Sequence, residues 1–410
     1  MKILVLNSGS STLKTSLYEI AAAPPEDPPA AIWEGLIEWR GNAADARTST
    51  PAGIRSQFRV DAASRERATG QLLADLWAAP NPVLRDAADI HVVGHRIVHG
   101  GEEFTGPTRA TPRVKDVIRQ MSEFAPLHNP AGLEAIEIAQ KIFGAAPHIV
   151  VFDTAFHRTL PESASTYPGP YEWAARGIRR YGFHGINHEY CAHRAARLLG
   201  RDLASLNIVT CHLGNGCSLA AISGGRSVDT TMGFTPLEGL MMGTRTGSID
   251  PSILTYLMRR DYATADEIDD LLNKKSGLAG ISGVSGDMRE VIAARKSGNA
   301  RAKLAFDIFI HRLAGCVGSM VAALAGIDAL VFTAGIGEHS PDVRAAACAN
   351  LEFLGIRLDS TKNSESRLDG DISAPDSRVR VLIVRAQEDW AIARACWTLM
   401  QTKSGPAGAS

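Results

Sequence analysis

Two short stretches of the chain combine glycine with hydroxyl and amide side chains in the same order. The first, LNSGSSTLK, begins at Leu6, and the second, HLGNGCSLAA, begins at His212. Each stretch joins two apolar runs, which predicts a hairpin closed by a glycine turn. Backbone N–H groups in such turns form concavities that bind anions, and hydroxyl groups add further donors. The repeat suggests two phosphate-binding turns, although two ordinary hairpins with glycine turns would show the same pattern.

Three charged side chains stand where they could act on a bound phosphate. Arg96, in GHRIVHGG, leaves an apolar strand and enters a glycine-rich turn, and Arg245 lies in GTRTG, where glycines allow close approach of the backbone. A guanidinium group binds a carboxylate or a phosphate as a two-pronged fork. Asp153 comes at the C-terminal end of the apolar strand HIVVF. A lone arginine is usually a surface charge, so the surrounding sequence has to show whether Arg96 and Arg245 bind an anion.

Histidine and cysteine also occur together in the middle of the chain. His184, His188 and His193 lie close to Cys191. Their spacing matches none of the common zinc patterns. Solvated or core histidines are therefore the simpler interpretation.

The elements that position these residues repeat along the chain. Each half begins with antiparallel strands joined by glycine turns and continues with helix-and-strand crossovers. The further segments that we predict are strands at 89–101, 148–157, 328–335 and 379–386 and helices at 129–144, 251–260, 264–275, 285–297, 299–325 and 388–400. The segment from Arg47 to Leu84 mixes strand and helix signals. We interpret the repeat as a duplicated α/β domain with a cleft between the copies, into which each hairpin loop points.

Composition excludes several classes of function. The chain has 410 residues, and its formal net charge is -1, so no overall basicity indicates a nucleic-acid or anionic-membrane partner. The first residues resemble neither a signal nor a transit peptide, and apolar runs are too short for a membrane-spanning helix. The six cysteines form no CxxC pair. Such low cysteine density predicts reduced thiols and a cytoplasmic location.

Eight blocks of sequence carry a family resemblance. They are LNSGSSTLK, GHRIVHGG, FDTAFHRTLP, YGFHGINHEY, HLGNGCSLAAI, TMGFTPLEGLMMGTRTGSIDP, FTAGIGEHSPDVR and QEDWAIAR. In this order, from residue 1 to about residue 400, they resemble the acetate kinase family, part of the acetate and sugar kinase, heat-shock 70 and actin superfamily. The resemblance implies two duplicated actin-like (ribonuclease H-like) domains around a nucleotide cleft. We expect residues 1–154 plus 387–410 to form one domain and residues 155–386 the other.

The resemblance also implies a reaction. Phosphoryl transfer from ATP to acetate gives ADP and acetyl phosphate, reversibly and in line, with Mg²⁺ as cofactor and Mn²⁺ as a possible substitute. Two anions must approach each other, and this chemistry is catalysed mainly by positioning and charge stabilisation. The family further implies a cytoplasmic homodimer whose other partners are acetate and ATP or ADP, with no nucleic acid and no membrane.

The family's site residues carry over onto matching positions. The catalytic set is Asp153, His184, Arg245 and Arg96, and the wall around the acetate is Arg96, Val98, Leu127, Phe183 and Pro236. His128 is a weaker candidate for the same pocket. The family treats its aspartate as a proton donor or acceptor, but acetate has no proton to give at neutral pH. We expect Asp153 to orient an arginine or a metal-bound water instead.

The remaining matches concern the metal and the nucleotide. Asn7 and Glu388 match the magnesium residues of the family. The nucleotide set is Lys14, His212, Leu213, Gly214, Asn215, Gly216, Asp287, Met288, Arg289, Gly335, Ile336, Gly337, Glu338 and His339. The chain departs from the family at His339, where asparagine is common, and in AQED, which replaces TNEE but keeps Glu388.

Three alternatives remain open. A propionate or butyrate kinase would have the same fold and would differ in its relative kcat/KM for acids of different length. A nucleotide-dependent binding module of the actin or chaperone type would not need Arg96, Arg245 and His184. An inactive relative would not need to retain the four residues Asn7, Asp153, Arg245 and Glu388.

Overall fold

The computed structural model describes residues 1–9, 11–40, 43–61, 64–78, 82–126, 128–261, 263–365 and 368–402. The strands in this part of the chain are β1 Lys2–Ser8, β2 Thr12–Glu19, β3 Trp33–Arg40, β4 Ala43–Thr50, β5 Gly53–Asp61, β6 Val92–Ile97, β7 Thr108–Arg109, β8 His148–Phe152, β9 Asn207–Leu213, β10 Cys217–Ser223, β11 Arg226–Thr230, β12 Ala329–Thr333, β13 Gly370–Asp371 and β14 Arg380–Ile383.

The helices alternate with these strands along the chain. They are α1 Arg65–Ala78, α2 Pro112–Gln120, α3 Asn129–Ile142, α4 Glu162–Ser165, α5 Glu172–Ala175, α6 Gly185–Leu199, α7 Ser252–Asp261, α8 Ala265–Lys274, α9 Gly277–Ser282, α10 Met288–Lys296, α11 Ala300–Ala323, α12 Ala334–His339, α13 Pro341–Ala349, α14 Ser360–Glu365 and α15 Glu388–Thr402. The chain divides into two compact units. Unit 1 contains Met1–Ala155 and Gln387–Ser410, and unit 2 contains Phe156–Ala386.

Unit 1 is built on an eight-stranded sheet with the order β5-β4-β3-β2-β1-β6-β8-β7. The central strand β1 is antiparallel to β2 and parallel to β6. Ile3, Leu4 and Val5 are fully buried, as expected of a strand covered on both faces. The β1–β2 turn closes with a 2.7 Å hydrogen bond from the Gly9 N–H to the Thr12 carbonyl.

Unit 2 repeats the central part of this sheet. Its strand order is β11-β10-β9-β12-β14-β13. The first two neighbouring pairs are antiparallel and the next two are parallel. The series β3-β2-β1-β6-β8 in unit 1 has the same succession of orientations. The repeated α/β architecture expected from the sequence is therefore confirmed.

Some elements differ from the sequence prediction. The strand expected at 328–335 ends at Thr333, because Ala334 has a φ of 63° and starts α12. The ambiguous segment from Arg47 to Leu84 contains the end of β4, all of β5 and the helix α1.

One helix, α11, is long and apolar enough to cross a membrane by length and composition. It contacts α9, α10 and β10 within unit 2. Its fully buried side chains include Phe309, Leu313 and Val317. These contacts account for the apolar side chains on the buried part of α11, which is 39% of its most apolar window.

The C-terminal helix α15 completes unit 1 by packing on β1 and β6. The contact is close at Gly94 of β6, where an added Cβ would lie 2.7 Å from the Cys396 Sγ and 2.8 Å from the Ile392 Cγ2. The absence of a side chain at Gly94 thus lets α15 approach the sheet. This approach sets the position of Glu388 at the start of α15.

We predict that Gly94→Ala lowers the stability of the protein by about 1–3 kcal/mol, because the new methyl overpacks the α15 contact. Gly70→Ala in α1 is the matched control, since an added Cβ there meets no atom within 4 Å. That control should gain about 0.5–1 kcal/mol from helix propensity. Thermal unfolding of both variants measures the difference. Equal midpoints would show that the β6–α15 contact tolerates the methyl.

Candidate active site

Strand register brings three of the predicted residues into one row of unit 1. Asn7 of β1 pairs with Lys14 of β2 on one side and with Arg96 of β6 on the other. Neighbouring residues in such a row project from the same face of the sheet. The three side chains therefore lie next to one another although they are far apart in the sequence.

Arg96 is held by the predicted aspartate. Its Nε and Nη2 donate to the two carboxylate oxygens of Asp153 at 3.1 and 2.6 Å, and its Nη1 donates to the Asn7 Oδ1 at 3.2 Å. Asp153 is 1% exposed, and its own N–H is fixed by the Ile97 carbonyl at 3.0 Å. The carboxylate is thus placed to orient the guanidinium group.

The first turn of α15 brings two more carboxylates to this row. The Asn7 Nδ2 donates to the Glu388 Oε2 at 3.3 Å and to the Asp389 Oδ1 at 3.1 Å. The Ser16 hydroxyl donates to the other Asp389 oxygen at 2.9 Å. The sequence prediction did not include Asp389. Its signal was the second acidic residue in AQED, directly after Glu388.

Carboxylates outnumber the cations in this part of unit 1. Burial alone would lower the pKa of Arg96, but Asp153, Glu388 and Asp389 outweigh it and raise that pKa. Burial raises the pKa of Asp389, and the charge of Lys14 opposes this shift. The surplus of negative charge favours a bound cation.

Asn7 and Glu388 fit a magnesium ion that keeps most of its water. They supply one amide oxygen and one carboxylate, and Mg²⁺ in proteins commonly takes few protein ligands. In the part of the chain that the structure describes, no group of three or more His, Cys, Asp or Glu side chains could hold a metal ion. A site here would therefore rely on water and substrate oxygens for its remaining ligands.

The predicted His184 sits at the start of α6 in unit 2. It adopts a left-handed backbone, with a φ of 58° and a ψ of 21°. Its ring stacks on that of His212 at 4.0 Å between centroids, and its Nδ1 lies 2.8 Å from the Ser218 hydroxyl. A backbone conformation that is rare for non-glycine residues is often kept for function.

Arg245 differs from Arg96 in having no carboxylate partner among the described residues. Its Nη1 donates to the Pro236 carbonyl at 2.9 Å and contacts the Met242 sulfur at 3.7 Å. Burial lowers the pKa of Arg245. A Cβ placed on Gly216 would lie 3.6 Å from both the Arg245 Nη1 and the His184 Nε2. The two side chains therefore converge on the glycine turn between β9 and β10.

A second arginine fixes the segment that carries Pro236. The Arg180 Nη2 donates to the Glu238 carboxylate at 2.7 Å, and its Nη1 donates to the carbonyls of Thr230, Thr231 and Met232 at 3.0–3.1 Å. The Tyr167 hydroxyl donates to the same carboxylate. This fully partnered arginine keeps the segment in place.

Beside the glycine turn lies a cavity of about 640 Å³ within unit 2. The predicted residues that line it are Gly214, Asn215, Asp287, Met288, Arg289, Gly335, Ile336 and His339. The sequence prediction missed Gly286, Ile292, Ser340, Pro341 and Asp342. Close backbone packing shapes the wall, since a Cβ on Gly243 would lie 2.3 Å from the Asn215 Oδ1.

Other members of the predicted nucleotide set do not line this cavity. His212, Leu213 and Gly216 belong to the neighbouring hairpin, and Lys14 belongs to unit 1. Gly337 lies in α12, and the Glu338 Oε1 accepts the N–H groups of Ala334 and Ala386 at 2.8 Å each. The Glu338 carboxylate thus ties α12 to the segment after β14.

The predicted apolar wall is distributed over the chain. Val98 is 6% exposed in unit 1, just after β6 ends at Ile97, so strand alternation does not extend to it. Phe183, 1% exposed, and Pro236 belong to unit 2. Leu127 lies outside the described residues. His128 precedes α3 and makes no side-chain cap hydrogen bond.

Comparisons with known proteins agree on one family. Residues 2–394 match the model of the acetokinase family. An acetate kinase of Cyanothece sp. is 53% identical over 98% of this chain and 100% of its own length. Among solved structures, Porphyromonas gingivalis acetate kinase has a TM-score of 0.89 at 40% identity, with 97% of this chain and 99% of that chain covered. A propionate kinase from Francisella tularensis has a TM-score of 0.88 at 37% identity over the same shares.

The unbalanced charge of Arg245 leads to a prediction about stability. Arg245→Met should leave the free protein equally stable or stabilise it by up to about 2 kcal/mol, because it removes a half-buried charge that has no carboxylate partner among the residues described. Arg180→Met is the matched control and should destabilise by about 3–5 kcal/mol, because it removes the ion-pair partner of Glu238 and the donor to three backbone carbonyls. Thermal unfolding without ligands measures both. A large loss of stability in Arg245→Met would contradict this description of its surroundings.

Proposed function

The chain belongs to the acetokinase family and has acetate kinase activity, and on this premise we propose how its residues divide the work. Arg245 and His184 contact the transferring phosphoryl group, and Arg96 binds the carboxylate of acetate. The observation that carries the proposal is the half-buried Arg245 guanidinium, which has no carboxylate partner in the described part of the chain and lies near His184 and the glycine turn.

The phosphoryl group supplies the negative charge that Arg245 lacks in the free protein. Charge on the equatorial oxygens has to be balanced as the bond to ADP breaks and the bond to acetate forms. A guanidinium group and an imidazole N–H held in place beforehand need little rearrangement to do this. The N–H groups of Asn215 and Gly216 are proposed to hold the adjacent phosphates, since the Gly214 N–H donates to the Gly216 carbonyl at 3.0 Å.

Asp153 is proposed to orient Arg96, and the acetate needs no general base because it is already ionised at neutral pH. Both carboxylate oxygens of Asp153 accept hydrogen bonds from Arg96, which supports the orienting role. The guanidinium group keeps its position through this fork, and acetate then approaches an arginine whose direction is fixed.

Asn7 and Glu388 are proposed to hold Mg²⁺, which would offset the charge of the ATP phosphates when bound. Manganese is proposed as a substitute. Asp389 is proposed to orient the Asn7 side chain, because the Asp389 Oδ1 accepts a hydrogen bond from the Asn7 Nδ2. In this orientation the Asn7 Oδ1 faces Arg96. Lys14, exposed and opposite Asn7, is proposed to contact the ATP phosphates.

The adenosine of ATP is proposed to occupy the cavity between α10 and α12. Its volume of about 640 Å³ suits a nucleoside, and its wall includes the apolar side chains Met288, Ile292 and Ile336. The His339 side chain is 65% exposed. It is proposed to contact the nucleoside, and its difference from the common asparagine bears on the choice between ATP and GTP.

We further propose that the protein is a cytoplasmic homodimer. Helix α7 has no buried residue, and it exposes Ile253, Tyr256 and Met258 by 44%, 61% and 45%. Exposed apolar side chains on one helix are typical of a surface that a second copy covers. The formal net charge of -1 supports a protein without a nucleic-acid or membrane partner.

Replacement of Arg245 tests the phosphoryl role. Arg245→Ala should lower kcat at least about 10³-fold, on the scale of other arginines in phosphoryl transfer. The KM for ATP should change little, because the nucleoside cavity is intact. Arg245→Lys keeps the charge without the planar fork and should recover only part of the rate. An Arg245→Ala enzyme within tenfold of the wild-type kcat would remove this residue from the mechanism.

A second experiment separates acetate kinase from the propionate and butyrate alternatives. If Val98 limits the acyl pocket, Val98→Ala makes room for one methylene, worth about 0.8 kcal/mol, and should shift relative kcat/KM towards propionate roughly fourfold. Hydroxylamine trapping of the acyl phosphates across formate, acetate, propionate and butyrate measures this ratio. A wild type that prefers propionate or butyrate would overturn the choice of acetate, and an unchanged ratio in Val98→Ala would place Val98 outside the pocket.

A further inference from the structure

A buried line of side-chain hydrogen bonds runs behind His184. The Thr210 hydroxyl lies 2.7 Å from the His188 Nδ1, and the His188 Nε2 lies 2.8 Å from the Ser218 hydroxyl. The Ser218 hydroxyl in turn lies 2.8 Å from the His184 Nδ1. We call these four residues the hydroxyl–imidazole chain.

Helix and sheet geometry together assemble this chain. His184 precedes α6 as its N-cap residue, and His188 lies in the first turn of the helix. The His188 N–H donates to the His184 carbonyl at 2.9 Å, and the two ring centroids lie 6.5 Å apart. Thr210 and Ser218 lie on the neighbouring strands β9 and β10, and α6 contacts β9. Thr210, His188 and Ser218 are each 0% exposed. Water therefore does not compete for their hydrogen bonds in the folded unit.

His188 is neutral, because burial holds its pKa well below the usual value for histidine. A neutral imidazole carries one hydrogen, so one ring nitrogen donates and the other accepts. Each ring nitrogen of His188 faces a hydroxyl group, so the hydrogen bonds of the hydroxyl–imidazole chain can run in either of two directions. A neutral His184 carries its hydrogen on Nδ1 in one direction and on Nε2 in the other.

The Thr210 hydroxyl discriminates between these directions. Among the described residues its side chain has the His188 Nδ1 as its hydrogen-bond partner. If His188 donated from Nδ1, the buried Thr210 O–H would have no acceptor, which is unfavourable. If Thr210 donates, His188 donates from Nε2 to Ser218, and Ser218 donates to the His184 Nδ1. In that direction all three buried groups are satisfied.

We propose that Thr210, His188 and Ser218 are positioning residues that fix the tautomer of His184, with its hydrogen on Nε2. The proposal rests on the function proposed above, in which His184 donates to the phosphoryl group. An Nδ1 that accepts from Ser218 leaves the Nε2 as the only donor of the ring. That nitrogen lies on the side of Gly216 and Arg245. The donor is therefore in place before the phosphoryl group arrives, which is when a fixed dipole helps most.

The tautomer is measured directly by NMR of protein labelled with ¹⁵N at histidine. Two-bond nitrogen–proton correlations distinguish an Nε2–H ring from an Nδ1–H ring, and the signal missing in His184→Asn identifies His184. The expected result for the wild type is the Nε2–H form. An Nδ1–H ring or a protonated ring at neutral pH would overturn the proposal.

Variants of the hydroxyl–imidazole chain test whether its residues determine the tautomer of His184. Ser218→Ala should yield a mixture of His184 tautomers and lower kcat about tenfold or more, with the KM values for acetate and ATP within about twofold. Thr210→Val keeps the volume but removes the donor, and it should shift the tautomer in the same direction. Thr210→Ser keeps the hydroxyl and should retain the wild-type spectrum. An unchanged tautomer in both Ser218→Ala and Thr210→Val would overturn the proposal.

Two controls distinguish a general loss of stability from a change of the His184 tautomer, and a failure of the proposed function from a failure of the tautomer proposal. Thr230→Val removes a buried hydroxyl of β11 that donates to the Leu219 carbonyl at 2.7 Å, outside the chain. It should reduce stability while leaving the His184 tautomer unchanged. His184→Ala tests the proposed function: a normal kcat would remove His184 from the reaction, while the spectra would still decide how its tautomer is set. If Ser218→Ala does not fold, the wild-type spectrum and the matched Thr210 variants decide the question.

Discussion

The register between the central strands is the constraint on which the site of unit 1 depends. Asn7 lies opposite Lys14 on one side and Arg96 on the other, because β1 pairs with β2 and β6 in one fixed alignment. A slip of one residue would turn each side chain to the other face of the sheet. The alignment is held by buried apolar residues such as Leu4 and Val93, which have to stay inside. The hydrophobic core thus determines where the charges meet.

The two units use arginine under opposite electrostatic conditions. In unit 1, Arg96 is surrounded by Asp153, Glu388 and Asp389, and the local excess is negative. In unit 2, burial lowers the pKa of Arg245, and no carboxylate among the described residues balances it. The first arrangement favours a cation and keeps its arginine rigid. The arrangement in unit 2 needs a bound anion to balance the charge of Arg245. The local charge of unit 1 is therefore opposite in sign to the Mg²⁺ proposed for it, and that of unit 2 is opposite in sign to the phosphoryl group.

Sequence motifs named single residues whose roles stay predictions, and the interactions between strands distant in sequence were harder to foresee. The repeated glycine hairpins indicated the duplicated fold, because each combines a turn with apolar strands. The role of Glu338 was not visible, since its partners Ala334 and Ala386 meet only after β14 pairs with β12. The link from Thr210 to His184 was invisible for the same reason. Strand β4 was ambiguous because its sequence, AADARTST, carries few large apolar residues.

The discontinuity of unit 1 has a consequence for synthesis on the ribosome. Helix α15 is synthesised after all of unit 2, yet Trp390, Ile392 and Cys396 are fully buried against strands made before unit 2. Unit 2 is continuous in sequence and has all its residues earlier. The sheet of unit 1 is therefore without α15 while more than half of this sequence is synthesised. Translation thus makes unit 2 the first to have every residue for its own core, and the emergence of α15 the event that completes unit 1.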